Sequence, residues 1–245
     1  MYQPRTYRHW VKNKDLVTFN VIVGETDCYV SAVSNLESKA RKLIQKYRSI
    51  LEKYISTHPV FLTTLEPFFP EKDSPLIVQA MSETGQQASV GPMAAVAGAI
   101  AHFVGEELAR FSPDIIIENG GDIYLRSRQD RLIGIYAGQS PLSGKIGLAV
   151  KGKETPLGIS TSSGTVGHSL SFGKADAVVV LADTATLSDA VATGIGNLIL
   201  TPADIPQGIA KAQYIRGVRG IVIIKDEEMG VWGNLQLRPT DIQEG

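Results

Sequence analysis

With a single cysteine, Cys28, the chain can form no internal disulfide, and nothing marks it for an oxidising compartment. The surrounding residues, ETDCYVSAV, alternate like a strand, so the thiol is expected in a sheet or core position. Neither sign of charge prevails: 24 Lys and Arg stand against 25 Asp and Glu, for a net charge of −1. That balance gives no electrostatic reason for a polyanion as main partner, and nucleic acid is not expected. A run of about 18 apolar residues is missing, so no membrane span is expected. The opening residues, MYQPRTYRHWVKNKD, lack the apolar stretch that heads a secretory signal, which makes the cytoplasm the expected compartment. Also missing are G-x-x-x-x-G-K-[ST], a strand-coupled G-x-G-x-x-G, H-E-x-x-H, paired C-x-x-C and G-x-S-x-G. Their absence disfavours the usual NTPase, Rossmann, zinc and serine-hydrolase readings.

What is present is an ordinary globular composition, 43% hydrophobic and 20% charged over 245 residues. LVTFNVIVGETDCYVSAV reads as two strands about a turn at Gly24-Glu25-Thr26-Asp27. Ser34-Asn35-Leu36-Glu37 has the spacing of a capping box. The apolar residues from Leu36 to Tyr54 then recur at helical spacing, which predicts a helix from Asn35 to Ser56. Four prolines between His58 and Pro75 argue for a surface connection. GPMAAVAGAIAHFVGEELARF predicts a second helix, from Pro92 to near Ser112-Pro113, whose body of Ala and Gly lets other backbones approach closely. Strands follow: DIII and DIYLRS about Gly120-Gly121, then RLIGIYAG, KIGLAVKG, LGISTSS and AVVVLAD. Near the end, Ile221 to Ile224 reads as a buried strand and Met229 to Leu235 as an edge strand. No fixed repeat and no linker divides the chain. The expected architecture is a single α+β domain over residues 1–245, with β-sheets packed against the small-residue helix.

Three stretches carry candidate chemistry. In TLSDAVATGIGNL, Asp189 and Thr193 stand one helical turn apart on one face, close enough for both oxygens to reach a Mg²⁺ ion. An Asp near a helix start also favours the dipole, with Ser188 or Thr186 as the N-cap, and a Thr can bond its own i−4 carbonyl. In ENGGD, Asn119 offers a donor and an acceptor, while Gly120 and Gly121 permit close approach of a ligand; a plain β-turn explains the same letters. In TSSGTVGHSLSFG, free N–H groups and hydroxyls about Ser162, Ser163 and Gly164 suit a phosphate, and His168 suits proton exchange near neutrality. A surface loop explains those residues too.

Taken in this order, Asn119-Gly120-Gly121-Asp122, Thr161-Ser162-Ser163-Gly164, His168 and Ser188-Asp189-Ala190-Val191-Ala192-Thr193-Gly194 resemble the ApbE flavin transferase superfamily. The likeness spans about Ser89 to Leu200, and the chain is also similar to a short, signal-less group set beside those transferases. The resemblance implies an α+β fold, FAD as substrate or ligand, Mg²⁺, and transfer of the FMN portion to a Thr or Ser hydroxyl of an acceptor protein. It implies that Asp189 and Thr193 hold the metal, that Asn119, Gly120 and Gly121 form the nucleotide-facing turn, and that His168 assists proton movement. Two departures stand out. The family's Asp-Pro-x-Thr-Gly segment after the histidine is Ser169-Leu170-Ser171-Phe172-Gly173 here, and the lysine of its helix-opening segment is missing from QQASVGPMAAVAGA. Three functions stay open: a Mg²⁺-dependent flavin transferase or FAD pyrophosphatase, a binding protein for a nucleotide or phosphorylated metabolite, and an assembly protein.

Overall fold

The computed structural model describes residues 15–165 and 172–240. Strands β1 (Val17–Val23) and β2 (Thr26–Ala32) form the expected antiparallel hairpin. Helix α1 runs Glu37–Thr57 and buries Ala40, Ile44, Tyr47, Leu51 and Tyr54, the stripe that its periodicity marks. The expected capping box does not form. Leu36 is the N-cap without a side-chain bond, and Asn35 Oδ1 accepts the Glu37 N–H at 2.9 Å instead.

The connection after α1 is more regular than its prolines suggest. A short helix α2 (Pro59–Thr63) follows at once, and α3 occupies Leu76–Ala88, a helix the sequence reading passes over. Its stop signal is Ser89 in the left-handed conformation, at φ 60°, where a glycine is the usual marker. The small-residue helix opens as a 3₁₀ turn over Pro92–Ala95 and continues as α4 (Val96–Leu108).

Strands β3 (Ile115–Asn119), β4 (Asp122–Arg126), β7 (Leu157–Ser162), β8 (Ala177–Ala182), β9 (Val218–Lys225) and β10 (Glu228–Gly233) complete the main sheet. Its order is β1-β2-β3-β4-β7-β8-β9-β10, every pairing antiparallel, which puts β10 at an edge as expected. A second sheet orders β11 (Gln236–Pro239), β6 (Ile146–Val150) and β5 (Arg131–Gly134). The remaining helices are α5 (Ala185–Gly196) and α6 (Ile205–Gln213).

Strand alternation separates two cores. Val178, Val180, Ile221 and Ile223 face the helices, while Val179, Leu181, Val222 and Ile224 face the small sheet. Both faces of β8 and β9 are therefore covered, which is why these strands read as unbroken apolar runs.

The small residues of α4 serve packing. A side chain at Gly98 would come within 2.2 Å of the Ala185 carbonyl oxygen, and one at Gly105 within 2.2 Å of the Tyr124 ring. Bulk at either position would force α5 or the sheet away. Cys28 is fully buried on β2, paired across the ladder with Asn119.

Candidate functional site

Three elements converge on the first turn of α4. Asn119, the last residue of β3, donates through Nδ2 to the Ala97 carbonyl at 3.0 Å. Asp189 of α5 accepts the Gly98 N–H on Oδ2 at 2.8 Å and the Ala97 N–H as well. The first N–H groups of a helix have no partner within it, so a carboxylate supplied by α5 caps α4 and sits at the positive end of its dipole. Asp189 thus serves a neighbouring helix rather than its own. The N-cap of α5 is Thr184, which accepts the Leu187 N–H at 3.1 Å, and neither Ser188 nor Thr186 takes that part.

Between Asn119 and Asp122 the chain turns through Gly120 and Gly121, at φ 70° and 104°. A two-residue hairpin with positive φ at both positions is the reason for the paired glycines. Nothing lies within 4 Å of the place where a Gly120 side chain would begin, so this turn has open space on that side. The Gly121 N–H donates to Glu118 Oε1 at 2.7 Å.

Asp122 opens β4 and shares its helix-facing side with Tyr124. It stands opposite Ser160 across the β4–β7 ladder and lies against Asp189. The Ser160 and Ser188 hydroxyls lie 2.7 Å apart, and Ser188 donates to the Ala185 carbonyl at 3.1 Å. All four side chains are buried, Ser160 and Ser188 completely. Burial pushes the Asp189 carboxyl up to about 7, against the pull of the Gly98 and Ala97 N–H groups and the Asp122 hydrogen bond. Burial, and then the charge on Asp189, raise Asp122 well above the usual carboxylate range. Two like charges so close in a dry setting are unfavourable, so burial and mutual repulsion both favour a proton on the pair.

The other residues singled out by sequence lie along α5. Thr193 is half-buried one turn beyond Asp189, and its hydroxyl makes no hydrogen bond among the described residues. Ser162, half-buried at the end of β7, lies beside Gly196, where a side chain would approach its Oγ to 3.2 Å. The Gly164 N–H donates to Ala175 O at 2.9 Å, and Ser163 Oγ accepts the Thr165 N–H at 3.1 Å. The same strand-to-loop region is tied to the C-terminal end of α5 by Phe172 N–H to Asn197 Oδ1 at 3.0 Å and Lys174 N–H to Ile199 O at 2.7 Å. Asp122 therefore lies against Asp189, and Asn119 holds the same turn of α4, whereas Ser162, Ser163 and Gly164 gather toward the other end of α5, about 10 Å on at 1.5 Å per residue. His168 lies outside the described residues.

Ser160 is a site residue that the sequence reading did not name, and Asp122 and Ser188 entered it only as members of motifs or as a cap, without a place in this cluster. One signal for Asp122 was available: it closes the ENGGD turn on the face opposite Ile123.

The donors at Asp189, Asp122 and Thr193 are all hard oxygens, the kind Mg²⁺ prefers, and the carboxylate pair holds a proton where a cation would relieve its repulsion. No group of three or more His, Cys, Asp or Glu is placed to hold a metal among the described residues. The residues accordingly fit an ion that keeps water or substrate oxygens in its shell, as Mg²⁺ does. A surface groove between α6 and β10, lined in part by Ile205, Ile209, Met229 and Val231, shares no residue with this site. No single helix among the described residues is long and apolar enough to cross a membrane.

Comparison with known proteins agrees with this architecture. The flavin transferase ApbE from Vibrio cholerae superposes with a TM-score of 0.60 at 12% identity, over 92% of this chain and 97% of that one. The apo form of the flavinyl transferase ApbE from Pseudomonas stutzeri gives 0.58 at 12% identity, over 89% and 93%. At such identity the likeness is one of fold. Sequence relatives are nearer: a UPF0280 protein of Methanococcus aeolicus is 41% identical over 223 residues, 89% of this chain and 87% of the relative. Another UPF0280 protein, from Methanocaldococcus jannaschii, is 43% identical over 209 residues, 83% and 85% of the two chains. A family model described as AbpE bacteria matches residues 8–215, and with that match over most of its length the chain belongs to this ApbE-like family.

Proposed function

We propose that this protein binds FAD and, with Mg²⁺, transfers its FMN portion to a Ser or Thr hydroxyl of an acceptor protein, or to water as an FAD pyrophosphatase. The observation that carries the reading is the buried Asp122 and Asp189 pair at the start of α4, beside the open Gly120-Gly121 turn. Asp189, Thr193 and Asp122 are the residues that would hold the ion. When bound there, Mg²⁺ would neutralise charge gathering on the pyrophosphate oxygens.

The chain's own groups supply the rest. Asn119 and Asp189 fix the first turn of α4, so its position relative to the Gly-Gly turn is set before any ligand arrives. Gly120 and Gly121 admit the nucleotide, and the Ser162, Ser163 and Gly164 segment offers hydroxyl and amide groups to its phosphates. The acceptor oxygen attacks the FMN phosphorus, the P–O bond to the AMP half breaks, AMP leaves with the bridging oxygen, and the hydroxyl proton passes to His168. Replacing His168 by Ala is expected to lower turnover more than affinity.

The test is incubation of the purified protein with FAD and Mg²⁺ followed by quantification of AMP. Release that depends on Mg²⁺ supports the reading. No release, with or without a candidate acceptor, overturns it. The missing lysine and Asp-Pro segment favour a second reading, in which the same residues hold a nucleotide or phosphorylated metabolite without turning it over. Calorimetric binding of FAD without AMP release would select that alternative.

A further inference from the structure

The main sheet ends at β10, whose outer edge pairs with no strand among the described residues. Alternate N–H and C=O groups along that edge therefore point away from β9. Edge strands are normally blunted by a proline, a lysine, a bulge or brevity, and β10 has none of these. It reads Glu228-Met229-Gly230-Val231-Trp232-Gly233 and follows β9 without a register shift. Both faces beside the edge are apolar. Met229 and Val231, 40% and 41% exposed, share the small-sheet side with their ladder partners Ile224 and Val222. On the other face Gly230 lies under α6, where a groove along Pro206, Ile209 and Ala210 stands open.

The charges at the two ends of this strand differ in sign. Asp226, Glu227 and Glu228 are exposed at the hairpin end, and Arg216 and Arg219 at the end where β9 starts. Lys225 engages Asp226, and Asp183 engages Arg219, which leaves Glu227, Glu228 and Arg216 without an ion pair among the described residues. We propose that β10 is a dimer interface: a second copy of this chain adds its own β10 antiparallel to the first, about a twofold axis through Gly230 and perpendicular to the sheet. Residues directly opposite in an antiparallel pair share a face, so this register sets Met229 against the partner's Val231, and Val231 against the partner's Met229. The same axis carries the acidic end of each strand to the basic end of the other, where the unpaired charges meet their complement. On the helix face the two α6 helices flank one groove and close it. A twofold contact uses up the edge on both copies, so assembly stops at two.

The experiment is sedimentation velocity of the full-length protein over a range of concentrations, without nucleotide or metal, for the unaltered chain, Val231→Lys and the double variant Met229→Glu/Val231→Lys. The unaltered chain is expected to sediment at twice the mass of one chain. Val231→Lys is expected to weaken the dimer by about 100-fold, because each copy then sets a lysine against an apolar partner at the interface. The double variant is expected to recover most of that loss, since the register places each new glutamate opposite a new lysine. A double variant no tighter than Val231→Lys overturns the pairing about Gly230. An unaltered chain that is monomeric throughout overturns the inference and leaves the edge to a partner of another kind. A folded Val231→Lys protein that dimerises as tightly as the unaltered chain overturns it as well. Should circular dichroism show that this variant does not fold, Glu227→Arg/Glu228→Arg decides: a weakened dimer supports the interface, and an unchanged one overturns it.

Discussion

The eight-stranded sheet is covered on both faces, and the two covers are built from different chemistry. Toward the small sheet the strands present Ile116, Ile123, Leu125, Ile159 and Val222, and Leu148 packs on them from β6. The polar groups on this side are tied off in pairs: buried Arg131 of β5 pairs with Asp15 at 2.5 Å and donates to Ser127 Oγ at 2.9 Å, and Glu118, buried on the Ile116 side of β3, accepts the Gly121 N–H. Against the helices, the same strands alternate Tyr124 with Asp122 and bring Asn119 and Ser160 inward. The helix side tolerates them because helix starts expose N–H groups that need acceptors, and α5 supplies hydroxyls of its own. One face holds the molecule together; the other spends part of its packing on a polar site.

The sharpest break in that comparison is expected from Asp189→Ala. It should abolish Mg²⁺ uptake and AMP release while the protein stays folded, because the loss of one cap costs only about 1–2 kcal/mol. Calorimetry with the metal and circular dichroism on the same sample check both halves. Unfolding would make the residue a structural cap and nothing more. The opposite behaviour is expected of Leu148→Ala on the other face, where the side chain is almost fully buried. Stability should fall by about 2–5 kcal/mol in urea titration, with metal uptake per folded molecule unchanged.

Gly98→Ala tests the close contact of α4 and α5. The added methyl would meet the Ala185 carbonyl at 2.2 Å and Asp189 Cβ at 2.7 Å. A loss of about 1–3 kcal/mol is expected, together with weaker metal uptake, since the displaced atoms include those of the site. Unchanged uptake would show that the site moves independently of the helix packing.

The smallest effect is a drift with pH. Asp189 has a folded-state pKa of about 7, above its ordinary value of 3.8, so the native chain binds more protons between those values. Its contribution is present below about pH 4 and is lost as pH rises through about 7. The urea midpoint should therefore fall from pH 5 to pH 8 in metal-free buffer. Mg²⁺ should restore part of it at pH 8, and Asp189→Asn should flatten the slope. A flat profile in the unaltered chain would place the proton elsewhere.

Much of the framework was legible from local pattern. Leu36 to Tyr54 repeats at helical spacing, Ala177 to Ala182 is unbroken and apolar, and Gly24 and Gly120-Gly121 mark turns, so those elements follow from spacing alone. Helix α3 escaped because its buried residues Ile77, Val78, Met81 and Ala88 are interleaved with Ser82, Glu83, Thr84 and Gly85, and because Ser89 rather than a glycine ends it. The capping box failed for a related reason: Asn35 bonds two residues ahead, and the helix starts later than its letters suggest. At the site, Asp189, Asn119 and the two glycines could be named because each belongs to a short motif. Their joining could not be read so directly. Asp122, Ser160 and Ser188 meet through strand pairing and helix packing over tens of residues, and no spacing within one segment encodes that.

The lone thiol acquires an experimental meaning from its place in the ladder. Cys28 is sealed at 0% exposure opposite Asn119, the residue that grips α4. A thiol reagent can reach it only when β2 parts from its neighbours, so the rate of labelling times the opening of β2 from β3, the strand that leads into the Gly120-Gly121 turn. Any ligand that clamps the turn should slow that clock, with no dye or engineered probe required.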